Sequence, residues 1–157
     1  MTMSNGVPLS DSDPPRNEET YEEGAENHDV EAEHWNDKGN LYLSFYDYLT
    51  ASSCFEMALR TNPGSPWESL YIANLSTAQF RLGLYENAIV GFTRAIELAP
   101  TCQTHYLCLG KSYLRCGGHE EEALAVLVQA VEIEQTPAAM SLYTKAQDAV
   151  QRKATTG

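Results

Sequence analysis

The chain has 157 residues, 43% of them hydrophobic, and a formal net charge of −12. This length supports one core of ordinary size, so a single domain with a tail is expected. The acidity disfavours nucleic acid and anionic membrane surfaces as general partners.

No stretch of about 18 apolar residues marks a membrane span, and no basic-then-apolar leader marks a secretory signal, so the expected compartment is the cytoplasm. The charge is uneven along the chain. Residues 1–33 contain ten acids and Arg16 as their one base, together with Pro8, Pro14, Pro15, Gly6 and Gly24. A segment so poor in apolar residues does not offset the entropy of ordering, so residues 1–30 are expected to be a disordered acidic tail. If tethered before a basic groove, the stretch 18–33 would compete there with acidic ligands.

The remainder reads as helices in pairs. Trp35, Gly39 and Tyr42 share one helix face, and Ala51, Phe55 and Ala58 share another before Pro63 stops the chain. Tyr46 occupies the turn between these two helices, where the next pair has Gly83. Ser65-Pro66-Trp67-Glu68 has the pattern of a capping box opening the next helix. That helix runs from Leu70 to Leu82, and its partner from Tyr85 to Leu98 carries Ala88, Phe92 and Ala95 before Pro100. A third pair places Tyr106, Leu109, Gly110 and Tyr113 before a Gly117-Gly118 turn and Ala123, Leu127 and Ala130 after it. Thr136-Pro137 then opens a last helix, 137–152, with Met140, Tyr143, Ala146 and Val150 on one side. Lys145, Gln147, Asp148 and Gln151 fall on its other side, as a capping helix requires. Residues 153–157 are expected to be a disordered end.

Ala51, Ala88 and Ala123 mark a repeat of two helices with a period in the mid-thirties, which describes a helical solenoid. In this set the chain resembles the tetratricopeptide repeat family over residues 31–152, with repeats at 31–64, 67–101 and 103–136. Lys38, Gln79 and Gln135 depart from the usual pattern, which has a leucine-like residue, an aromatic and a closing proline there. The resemblance implies an all-α fold: a right-handed α-solenoid of three helix pairs plus the C-terminal capping helix. It also implies a concave face lined by the first helix of each pair.

On that implied face lie Asn36, Asn40, Asn74, Thr77, Arg81, Thr104, Cys108, Lys111 and Arg115, which packing leaves free to specify a ligand. The co-chaperone subgroup it resembles holds the Glu-Glu-Val-Asp tail of heat-shock chaperones with two asparagines and three cations. Both asparagines are present as Asn40 and Asn74, whereas Asn36, Thr104 and Cys108 stand in the places of the cations. A clamp without cations loses charge-assisted hydrogen bonds of about 1.5–3 kcal/mol each. The function expected is non-catalytic binding of a peptide or protein tail, from a chaperone or a client protein, in an adaptor-like role. The alternatives are a small dedicated chaperone similar to those of type III secretion, and a structural subunit of a larger assembly. The sequence leaves the oligomeric state open.

Catalysis and cofactors are not expected. His119-Glu120-Glu121-Glu122 lacks the second histidine of a zinc-binding helix, and Cys108 and Cys116 lack a positioned base. The four cysteines have no metal-type spacing and are read as reduced thiols.

Overall fold

The structure, a computed structural model, describes residues 20–156 and their side chains over 27–155. Seven helices account for nearly all of it: α1 (Thr20–Ser44), α2 (Tyr48–Thr61), α3 (Glu68–Arg81), α4 (Tyr85–Leu98), α5 (Gln103–Cys116), α6 (Glu120–Ile133) and α7 (Pro137–Thr156). Each packs on the next in sequence, so the chain is a stack of antiparallel helix pairs. Contacts skipping one helix join α1 to α3, α3 to α5 and α5 to α7, and none joins the even-numbered helices to one another among the described residues. The odd-numbered helices therefore converge on the inner side of a curved stack, and the even-numbered ones fan out on its outer side.

Close approach within each pair rests on missing side-chain atoms. A Cβ built on Gly39 would lie 2.5 Å from the Phe55 ring, and one on Gly110 would lie 2.6 Å from Leu127. The middle pair reverses the arrangement. The inner helix carries Ser76 at the corresponding place, and Gly91 on the outer helix makes room for it, since a Cβ there would fall 2.0 Å from the Ser76 hydroxyl oxygen. Ser76 is buried and donates to the Ile72 carbonyl at 2.7 Å. Around these points Ala51, Ala58, Ala88, Ala95, Ala123 and Ala130 are fully buried, as their recurrence in sequence requires. Phe55, Phe92 and Leu127 are the largest of the fully buried side chains.

The turns show where local chemistry follows the pattern and where it departs from it. Tyr46 adopts φ 62°, the left-handed conformation that Gly83 takes at the equivalent turn, at a cost of about 1 kcal/mol or more. Asp47 then caps α2, its carboxylate accepting from the Thr50 N–H at 3.1 Å.

The expected capping box at α3 forms differently. Ser65 accepts from the Trp67 N–H, and Glu68 reaches back to the Gly64 N–H at 2.8 Å rather than to that of Ser65. The turn Ser65–Glu68 is closed by the backbone bond from Glu68 to Ser65, so α3 starts two residues before Leu70. In place of a closing proline at Gln135, Thr136 accepts from the Ala139 N–H and caps α7. Gln79 is only half-buried and borders a surface hollow, so its amide remains within reach of water.

Both ends extend beyond expectation. The helix begins at Thr20 rather than near residue 31, and α7 continues to Thr156 rather than ending at 152. Asp29 accepts from the Asn62 amide, which holds the extension against the end of α2. Residues 20–33 thus belong to α1, which touches neither α5 nor α7 among the described residues. They are not the free tether assumed for competition at the groove. The remaining tail, residues 1–19, lies outside the described residues, as does Gly157. At the other end Lys153 bonds to Glu120 at 3.1 Å and Glu121 at 3.0 Å, tying the end of α7 to the start of α6.

One polar chain crosses three helices. Ser69 of α3 lies 3.2 Å from the Ala95 carbonyl at the end of α4 and 3.0 Å from His105 Nε2 of α5. His105 is buried, and its Nδ1 has no partner. The consistent assignment has the imidazole Nε2–H donating to Ser69 and Ser69 donating to Ala95, because an orphaned acceptor costs less than an orphaned N–H. Burial lowers the His105 pKa below the ordinary histidine value. The unfolded chain therefore takes up this proton first. The His105 contribution should decline as pH falls below about 6.5, the unfolded value, and level off below the folded pKa. Urea titrations between pH 7.5 and 5 should show this loss, and His105→Gln should flatten it. An identical slope in the variant would assign the effect elsewhere.

Candidate functional site

The inner face is where side chains not needed for packing collect. On α1 and α3, Asn36 and Asn74 meet directly, the Asn74 amide donating to the Asn36 carbonyl oxygen at 2.8 Å. Asn36 is buried, so this pair links two inner helices and spends part of its hydrogen-bonding capacity within the protein. Asn40 is exposed on the next turn of α1.

Further along the face, Thr77, Phe80 and Arg81 of α3 meet Cys108 and Lys111 of α5 around a socket of about 100 Å³ with Phe92 of α4 at its floor. The Thr77 hydroxyl is turned back onto the Ala73 carbonyl at 2.8 Å, which leaves its methyl group to the socket. Cys108 is a protonated thiol: burial pushes its pKa up, and Lys111 only partly opposes this. It contributes no charge and no ready nucleophile.

Sharing Phe80, Arg81 and Lys111 with the socket, a cleft of about 550 Å³ continues towards the C-terminal end. Leu114 and Arg115 of α5 form one wall, and Leu142, Lys145, Ala149 and Arg152 of α7 form the other. Thus Thr77, Arg81, Cys108, Lys111 and Arg115 are drawn into one continuous depression. Asn40 of α1 and Thr104 of α5 are exposed but line neither part of it.

The contribution of α7 departs from the sequence reading. Lys145, expected on the outer polar side, stands in the cleft, while Met140, expected on the packing side, is 44% exposed. The buried positions are Ala139 and Ala146, with Leu142 and Tyr143 packed alongside. Leu142, Lys145, Ala149 and Arg152 follow helical spacing, and that stripe was the signal available in the sequence.

The residues weighed and set aside for metal or nucleophilic chemistry make local contacts. His119 meets Glu122 within one helical turn at 3.3 Å. Cys116 approaches Glu86, and burial followed by that carboxylate raises its pKa. No group of three His, Cys, Asp or Glu residues able to hold a metal occurs among the described residues. No described helix is long and apolar enough to cross a membrane.

Stacked helix pairs with an open inner face define a helical-repeat protein with the architecture of an interaction scaffold. Residues 71–102 match the family model for the tetratricopeptide repeat, and the chain as a whole has the all-α fold of a solenoid of such helix pairs. No curated protein matches the sequence.

Among solved structures, the first such domain of human RPAP3 is similar at 23% identity, with a TM-score of 0.73 over 81% of this chain and 98% of that one. The first such domain of Spaghetti (RPAP3), bound to the HSP90 peptide SRMEEVD, is similar at 22% identity and a TM-score of 0.72, over 78% of this chain and 95% of that one. The Sgt2 domain from Aspergillus fumigatus gives 19% identity and a TM-score of 0.72, over 81% of this chain and 83% of that one.

Proposed function

We propose that the chain is a non-catalytic module that binds a peptide or protein tail along its concave face, in an adaptor or co-chaperone-like role. The observation that carries this reading is the continuous depression running from Thr77 to Arg152, built from inner-face side chains that packing does not consume. The similar domain of Spaghetti is bound to an HSP90 peptide, and this supports peptide capture as the mode.

The Glu-Glu-Val-Asp tail itself is a poor match. At the positions where that clamp needs cations, this chain has Asn36, already bonded to Asn74, the neutral Thr104 and the protonated Cys108. Binding of that tail at those positions is expected to be weak.

A structural-subunit reading is favoured by one observation: Leu41, Phe45, Tyr46 and Leu49 are all more than half exposed around the α1–α2 turn. The secretion-chaperone reading gains no such support, since the extension of α1 over residues 20–34 is acidic rather than apolar.

Photo-crosslinking separates the faces. A benzoylphenylalanine at Asn40 or Thr104 should capture the cellular partner, and one at Asn87 on α4 should not. Capture from Asn87 alone would overturn groove binding and favour the subunit reading.

A further inference from the structure

Five of the chain's ten lysines and arginines line the cleft between α3, α5 and α7, and no carboxylate among the described residues lines it. Arg81, Lys111, Arg115 and Lys145 are exposed and have no carboxylate partner among the described residues, although acids outnumber bases about two to one in the chain. By contrast, Arg94 is paired with Glu97, and Lys153 with Glu120 and Glu121. Lys38 and Arg60 also lack an ion pair among the described residues, so what sets the cleft apart is the clustering of these cations on walls that carry no described carboxylate. A concave wall concentrates their field further.

The charges are interrupted by Phe80, Leu114 and Leu142, and the socket over Phe92 opens from the same cleft. We propose that this cleft receives a short acidic peptide segment of a partner protein, whose carboxylates meet these cations while one apolar side chain enters the socket. The inference rests on the groove reading and names its ligand class. The site differs from the clamp positions Asn36, Asn40, Asn74, Thr104 and Cys108, and it depends on the last helix for one wall.

Charge and shape together favour a peptide over other polyanions. A nucleic acid or an anionic bilayer extends beyond a cleft of about 550 Å³ and would meet the rest of a chain of net charge −12. A segment of a few residues is contained by the cleft, and its carboxylates pair with guanidinium and ammonium groups by charge-assisted hydrogen bonds.

The test uses the full chain and fluorescence anisotropy with a labelled peptide of five glutamates around one central leucine. It should bind, its glutamine counterpart should bind at least about tenfold more weakly, and affinity should fall with added salt. Arg115→Glu/Lys145→Glu should weaken the acidic peptide at least about tenfold while circular dichroism keeps the helical signal. Replacing the central leucine by glycine should cost severalfold.

Equal binding of the two peptides would overturn the proposal, as would indifference to the charge reversal. So would tighter binding of a ten-residue oligothymidylate or of phosphatidylserine vesicles. The two readings fail separately. Loss of acidic-peptide binding in the reversed variant, with cellular partners crosslinking only from Asn87, would retain the cleft chemistry and remove the adaptor function. Partner capture from Asn40 or Thr104 with an unaffected acidic peptide would do the converse.

Discussion

Replacing Phe92 by alanine is expected to lower the stability of the chain by about 3–5 kcal/mol, the range for a fully buried aromatic cut back to a methyl group. Phe92 is 2% exposed and sits among Ala73, Ala88, Ala95 and Leu109, with Ile72, Phe80, Ile96 and Tyr113 packed around them. This cluster joins the second helix pair to the third, and its alanines are too small to close over the space a ring would leave. A domain of ordinary stability has only about 5–15 kcal/mol to lose. In a stack whose units are held by their neighbours, a defect in the middle also uncouples both ends. Urea denaturation followed by circular dichroism should show a midpoint far below that of the parent, with loss of cooperativity between the two halves. A shift of less than about 1 kcal/mol would mean that the cluster collapses around the gap, and the central role of Phe92 would be wrong.

The second large effect concerns one contact seen from both sides. Gly91→Ala places a methyl group 2.0 Å from the Ser76 hydroxyl oxygen and 3.2 Å from its Cβ. The hydroxyl can rotate away only by giving up its bond to the Ile72 carbonyl, and the Cβ contact remains. Overpacking of this kind costs about 1–3 kcal/mol and opposes a gain of about 1 kcal/mol from exchanging glycine for alanine in a helix. The single variant should therefore be less stable than the parent. Ser76→Gly/Gly91→Ala should recover the loss beyond additivity, with a favourable coupling of about 1–2 kcal/mol in a double-mutant cycle. A Gly91→Ala chain as stable as the parent would show that the helices separate freely at this point. The double variant also recreates the arrangement of the outer pairs, where the small residue stands on the inner helix at Gly39 and Gly110.

Much of the fold was legible because packing at close range leaves a signature in residue size. Ala51, Ala88 and Ala123 had to be small, Phe55, Phe92 and Leu127 had to be large, and their spacing gave the period and the helix pairs. The bounds of α2 and α4 followed from the same pattern with Pro63 and Pro100. The ends of the stack were less legible, because the acidic sequence at the start of α1 has too few apolar residues to show a helical period and resembles a solvated tail. Ser65 misled for a related reason. A capping box and a turn closed by the same serine and glutamate share a sequence pattern and differ only in backbone path.

The groove residues divide along similar lines. Thr77, Arg81, Cys108, Lys111 and Arg115 came together because inner-face positions repeat with the period. Lys145 and Arg152 belong to a helix outside that period, so no repeat pointed to them. The Asn36–Asn74 bond depends on the distance between two inner helices, which the pattern of each helix alone does not contain.

The last helix serves two purposes at once. It covers the exposed end of the third pair, and the same helix supplies Leu142, Lys145, Ala149 and Arg152 to the cleft. If the proposed peptide binds in this cleft, its capture and the docking of α7 are linked equilibria. A ligand held between α5 and α7 at a hundred times its dissociation constant adds about 2.7 kcal/mol to the closed arrangement, and fraying of α7 from its Lys153 anchor weakens binding in return. Sequence appended after residue 157 that pulls on α7 would then act on the groove without touching a ligand, giving a fusion partner a mechanical hold on recognition.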